Sequence, residues 1–258
     1  MKRFKSYKKW LNEKFVDNDD PIQSMGVGLM HEVDKFIQNK KSQFKYVDYE
    51  IIRNTYDKLM FCIKYKSPIE LIDYLIPILL KEQNIDVNSK DEFMYKHLLV
   101  NAIVTNNLEC IKLLIEKYNV SIHPKKDDTK SLFTLQFYED TKPLLHYAIM
   151  FRRVEILKYL LENLYDPNYE DGKWFIEACG TKDEEIVKAF LDAGVDVNIR
   201  NGAALYYAAL KGSTKIMRLL LKHGAKVNDN LISNLHSWKL RGSRKLVTDM
   251  MFKLGYKF

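Results

Sequence analysis

The sequence predicts an all-α fold, a solenoid of stacked antiparallel helix pairs, and three observations predict it. The chain repeats itself at an interval of 30 residues through its C-terminal half. Each copy carries two short stretches whose apolar residues recur at helical spacing. Only 10 Gly and 6 Pro stand among 258 residues rich in Leu, Ile and Lys, which disfavours a turn-dense β architecture.

The interval is plainest between Glu185-Ile186-Val187-Lys188-Ala189-Phe190-Leu191-Asp192-Ala193-Gly194-Val195-Asp196-Val197-Asn198 and Lys215-Ile216-Met217-Arg218-Leu219-Leu220-Leu221-Lys222-His223-Gly224-Ala225-Lys226-Val227-Asn228. The same step places Ala178 on Ala208 and, moving back, Ala148 on Ala178, Ile156 on Ile186 and Asn168 on Asn198. Moving forward, Leu246, Val247, Met250 and Met251 fall on Ile216, Met217, Leu220 and Leu221, so the C-terminus is a further unit.

Taken in chain order, residues 1–50 match no repeat. Phe4, Tyr7, Leu11 and Phe15 share one helical face, and Asn18-Asp19-Asp20-Pro21 marks a break followed by a helix start. A helical cap shielding the first repeat is the expectation, with a basic membrane-surface helix as the alternative. Gly26-Val27-Gly28 lacks the rest of a phosphate-binding loop and reads as a kink or turn. Repeats then fill 51–258, in units of about 56–90, 91–122, 141–168, 171–198, 200–228 and a capping unit 231–256. Between the second and third, residues 123–140 form an insertion: polar through Pro124-Lys125-Lys126-Asp127-Asp128, then alternating at Phe133, Leu135 and Phe137, as a strand would.

Within a unit, the second stretch pairs apolar positions at i, i+1, i+4 and i+5, one face of a 3.6-residue period. Helices shorter than about 12 residues are marginal in water, so each pair must bury its face on the next pair. Ala102, Ala148, Ala178 and Ala208 suit a close helix contact, Gly194 and Gly224 a left-handed helix end, and Asn88, Asn168, Asn198 and Asn228 a side-chain bond in the following turn.

Together, Pro143-Leu144-Leu145-His146-Tyr147-Ala148, the Leu/Val-Glu-Ile second helices and the Gly194-Val195-Asp196-Val197-Asn198 exit resemble the ankyrin family over about residues 56–256. The 30-residue step is shorter than that family's usual repeat and implies abbreviated β-hairpin fingers, while Tyr118 and Leu164 stand where a helix-ending Gly belongs. Such short Lys- and Asn-rich repeats are similar to those of large DNA viruses, protists and intracellular bacteria. The resemblance implies a protein-binding module, host-directed in such a source, acting as a monomer in the cytoplasm or, in a host cell, the nucleus. It also implies that His146 bonds turn backbone.

The family binds through a concave side built from finger tips and the exposed ends of the first helices. Carried onto this chain, the two residues after each Ala pair are Val104-Thr105, Met150-Phe151, Gly180-Thr181, Leu210-Lys211 and Leu240-Arg241. The expected partner-binding residues are therefore Phe151 first, then Met150, Thr105, Thr181, Lys211 and Arg241, with Tyr138, Lys125 and Lys126 on the insertion. Phe151 is expected to be harder to bury than Met150.

Composition narrows the chemistry. Net charge is +7, concentrated at Lys2, Arg3, Lys5, Lys8 and Lys9 and at Lys239, Arg241, Arg244, Lys245, Lys253 and Lys257. Electrostatic binding of nucleic acid or an acidic membrane surface through these ends is the competing function, although aromatic platforms and Arg clusters are missing. Cys62, Cys110 and Cys179 are odd in number, far apart and without CxxC spacing, and read as reduced core thiols. No apolar run reaches the roughly 18 residues of a membrane span. The six His show no spacing with Cys or carboxylates that builds a metal site, and no nucleophile has a plausible base, so neither cofactor nor enzyme activity is expected.

Overall fold

A computed structural model describes residues 21–43, 52, 54–82, 92–118, 120, 142–229, 231–233 and 243–255, with backbone alone at 21–27, 41, 43, 92–95 and 243–246. The chain divides into two compact units, Met1–Ser121 and Ile122–Phe258. Among the described residues every regular element is helical.

In the first unit, α1 (Pro21–Gln43) is followed by α2 (Thr55–Lys64), α3 (Ile69–Glu82), α4 (Glu92–Val104) and α5 (Leu108–Lys112), which runs into a π-helical turn, Leu113–Lys117. α1 starts at Pro21, whose fixed φ suits the first helical position. Gly26-Val27-Gly28 lie inside this helix instead of forming a turn. Leu29, Val33 and Ile37, spaced four apart on one face, are buried, and α1 packs on α2 and α3. Lys58 anchors the same contact through an ion pair to Asp34 at 2.7 Å. Tyr118 does more than replace a glycine: its hydroxyl donates to Asp73 Oδ1 at 2.8 Å, and Lys117 pairs with the same carboxylate. These bonds tie the end of the second pair to α3.

The second unit comprises α6 (Leu144–Met150), α7 (Val154–Asn163), α8 (Lys173–Gly180), α9 (Glu184–Asp192), α10 (Ile199–Leu210), α11 (Thr214–Lys222) and α12 (Ser243–Lys253). Its core follows the sequence period. Leu145, Phe175 and Leu205 are fully buried, as are Ile156, Ile186 and Ile216, then Leu160, Phe190 and Leu220, and the Ala148, Ala178, Ala208 column. A larger residue in that Ala column would force first and second helices apart. Val247 and Met251 are equally buried in α12, which packs on α10 and α11. Burying one such Leu or Phe contributes about 1.5–3 kcal/mol, which short helices cannot supply alone.

Each first helix ends in a tight left-handed turn. The carbonyls of Ala102, Ala148 and Ala208 accept the N–H five residues on, from Asn107, Arg153 and Ser213, at 2.7–2.9 Å. The intervening left-handed residue is Lys66, Asn106, Arg152, Lys182 or Gly212 in successive pairs, so glycine fills this position once in five. At the second-helix ends Gly194 and Gly224 adopt φ of 85° and 88°, where only glycine sits without strain. Leu164 ends α7 without a left-handed residue, at φ −135°.

The fingers form no strand among the described residues. The two that follow α7 and α9 instead carry three consecutive left-handed residues, Glu170-Asp171-Gly172 and Arg200-Asn201-Gly202. The short repeat leaves too few residues for a paired hairpin, so the chain reverses through a compact left-handed turn. Side chains then link consecutive fingers: Asn168 Oδ1 accepts the N–H of Asp196 at 2.9 Å, and Arg200 pairs with Asp171 at 2.7 Å.

Candidate interaction surface

The turns described above fix where the residues after each Ala pair sit, at the C-terminal ends of the first helices. In the first unit, the ends of α2 and α4 enclose a half-open groove whose walls include Ile52, Tyr56, Met60 and Lys64 on one side and Asn101, Val104 and Thr105 on the other. The α4 wall is held in place by bonds along it. Tyr56 Oη lies 2.7 Å from His97 Nδ1 with the rings stacked, and Asn101 donates to the His97 carbonyl at 2.8 Å. Thr105 donates its hydroxyl to the Asn101 carbonyl at 2.8 Å.

In the second unit the order of exposure is the reverse of the sequence expectation. Met150 is 51% exposed, one of three large apolar side chains so exposed among the described residues, whereas Phe151 is half-buried. The reason is the turn: Phe151 closes α6, its N–H bonds the Tyr147 carbonyl, and the chain reverses at Arg152 immediately after it. A residue at that bend is partly covered, while Met150 stands on the last helical turn.

The corresponding positions carry different chemistry. Gly180 has no side chain, and a Cβ there would lie 2.5 Å from the Tyr207 ring. The next repeat's tyrosine thus packs directly on this glycine. Lys211 is exposed and holds its ammonium 5.3 Å from the same ring, a cation–π contact. Thr181 is exposed, but its hydroxyl donates to the Ala178 carbonyl at 2.7 Å and accepts the Asp183 N–H. Leu210 is half-buried. Arg241, Tyr138, Lys125 and Lys126, the insertion as a whole, Phe4, Tyr7, Leu11, Phe15, Asn88 and most of the basic ends lie outside the described residues.

His146 departs from the expected backbone bond. Its Nδ1 lies 3.3 Å from Glu177 Oε1 on α8, close enough for attraction but out of line for a hydrogen bond, and its ring meets Trp174 edge-on. His146 holds the Glu177 carboxyl below its ordinary range against the opposing effect of desolvation, with Lys142 and Lys173 adding smaller contributions. Trp174 is buried, its indole N–H without a hydrogen-bond partner among the described residues, and Lys173 lies over its ring at 4.6 Å. Cys62, Cys110 and Cys179 are free and buried; burial pushes the first two thiols up to about 11 and about 12, and the third higher still. Among the described residues no cluster of three His, Cys, Asp or Glu could hold a metal, and no helix is long and apolar enough to cross a membrane.

Sequence reasoning found the helix ends but missed Tyr56, Met60, Lys64, Glu177 and Tyr207. Glu177 and Tyr207 lie three residues before Gly180 and Leu210, one turn back on the same helical face, and that spacing was the available signal.

Helix pairs stacked at a fixed step, each first helix ending at an accessible turn, define a helical-repeat binding scaffold. The chain belongs to the ankyrin repeat family: a family model described as ankyrin repeats (3 copies) matches residues 59–171 and 174–234. Among 91 matching solved chains is the ankyrin repeat domain of Bcl-3, a member of the IkappaB protein family. It is similar at TM-score 0.52 and 21% identity, over 75% of this chain and 84% of that one. No curated protein matches the sequence.

Proposed function

We propose that this chain binds another protein through the ends of its first helices, with the groove between α2 and α4 and the Met150 surface as contact points. Ankyrin repeats are a protein–protein interaction module. The observation that carries the reading is the groove itself: the position inferred from the repeat register, Val104-Thr105, forms one wall of a concavity, where an apolar anchor gains most from burial. Met150 offers an apolar side chain that is 51% exposed to water. Packing of Leu29, Val33 and Ile37 supports a capping role for residues 1–50. The Lys- and Asn-rich repeats support a host-directed role, in host cytoplasm or nucleus, and the insertion 123–140 is read as an added contact.

Site-specific photocrosslinking tests the reading. A benzophenone side chain at 105 or 150 should capture one discrete partner, and the same probe at exposed Glu162 on a second helix should not. Capture from Glu162 alone would overturn the assignment.

A further inference from the structure

The repeats provide their own internal comparison, and one second helix fails it. On α7, Glu155 and Glu162 flank Lys158; on α9, Glu185 and Asp192 flank Lys188. In both helices the lysine pairs with the acid three residues before it, at 3.0 and 2.7 Å. On α11 the same three places hold Lys215, Arg218 and Lys222, so both acids have become lysines. All three side chains are exposed, and among the described residues Arg218 and Lys222 have no carboxylate partner. Lys215 reaches only Glu184, at 3.5 Å with its side chain 80% exposed, a contact that water screens to little.

A lysine at the last turn suits the helix dipole, which accounts for Lys222 but not for the loss of the acid before Arg218. Like charges at i, i+3 and i+7 on one face repel and destabilise an isolated helix. Leu219, half-buried, lies between them on the same face.

We propose that this α11 face is a second binding surface, and that its occupant is an acidic amphipathic segment of a partner protein. The three cations span about 10 Å at about 1.5 Å per residue, which matches carboxylates repeating at i, i+3 or i+4, and i+7 on a facing helix. Leu219 would meet that helix's apolar side. Nucleic acid fits less well: the row has no exposed aromatic for base stacking. The surface lies on a second helix, apart from the first-helix ends proposed above, so either can fail without the other.

The probe is a fluorescein-labelled 14-residue helical peptide with Glu at those spacings, titrated into the full chain at low salt and followed by anisotropy. The test variant is Lys215→Glu/Lys222→Asp, which copies the residues α9 carries at the same places and regains an i,i+3 pair with Arg218, so the fold should hold. Affinity for the peptide should drop at least tenfold in this variant, and a scrambled-spacing peptide should bind wild type comparably weakly. The reciprocal change, Glu185→Lys/Asp192→Lys on α9, should raise affinity several-fold. Unchanged affinity in the first variant would overturn the proposal. So would tighter binding of a 14-mer oligonucleotide or of vesicles with 30% phosphatidylserine that the same variant abolishes, because the occupant would then be a phosphate polymer or a lipid surface.

Discussion

The side-chain oxygen of Asn198 accepts the backbone N–H of Lys226 at 2.8 Å, 28 residues further along the chain. Its amide nitrogen donates to the Gly224 carbonyl at 3.1 Å, and its own N–H is taken by Asp196. One asparagine therefore joins the finger of its own repeat to that of the next, and Asn168 does the same one step earlier.

Replacing Asn198 by Ala removes two inter-repeat bonds at a partly exposed site. At roughly 0.5–1.5 kcal/mol for each bond, less whatever water restores, the expected loss is about 1–2 kcal/mol. Asn198→Asp keeps the acceptor for Lys226 but cannot donate to Gly224, so it should fall between wild type and Ala. Urea denaturation of the three proteins checks the order; equal midpoints would show that solvent replaces these bonds.

Gly180 and Tyr207 are in mutual contact, and a methyl group at 180 has no room while the ring stays in place. Gly180→Ala should thus displace Tyr207 and gain little from better helix propensity. In a Tyr207→Ala background the same change should stabilise by about 0.5–1 kcal/mol, the usual advantage of Ala over Gly inside a helix. A double-mutant cycle measured by thermal unfolding gives the coupling, and additivity would place the ring elsewhere.

The Glu177 carboxyl titrates below its ordinary 4.5 because His146 lies beside it. A depressed folded-state pKa contributes stability that is complete above the unfolded value and lost as pH falls through the folded one. Between neutrality and pH 3, wild type should therefore lose more stability than His146→Ala. Parallel acid slopes in the two proteins would mean the pair makes no net contribution.

Cys62, Cys110 and Cys179 are buried thiols with raised pKa values. In native buffer at pH 8 they should resist a water-soluble disulfide reagent, and all should react once the chain is unfolded in denaturant. Rapid labelling of one thiol in native protein would locate a repeat that opens.

Phe190 fills the second-helix core column at the centre of the second unit and meets the Phe175 ring at a tilt of 47° with ring centres 5.8 Å apart. Phe190→Ala should cost about 3–5 kcal/mol, since stacked helix pairs relax poorly into a cavity. Calorimetry checks the size of the loss, and a value below 1 kcal/mol would indicate local collapse.

The buried columns were legible in the sequence because burial repeats with the chain: Ile156, Ile186 and Ile216 must face the same neighbour in every copy. Gly194 and Gly224 were legible for a local reason, the steric cost of a left-handed backbone. The first turn was not, since Lys66, Asn106, Arg152 and Lys182 bear that cost with side chains. At Lys66, Asn106 and Arg152 the conformation goes with a bond that closes the turn onto a carbonyl of the preceding helix, Cys62, Ala102 or Ala148, which no single residue announces. The expected exposure of Phe151 over Met150 was reversed on the same turn, because exposure there depends on where the chain goes next.

By itself, then, the sequence determined the period, the helices, the face each one buries and hence the family, because those follow from apolar spacing along the chain. Tertiary structure decided what meets across repeats: Asn198 with Lys226, Gly180 with Tyr207, His146 with Glu177, and the groove between α2 and α4. Such contacts join residues about 30 to 45 apart, so they come into being only when separate helix pairs stack, and stacking is set by the summed burial of many side chains.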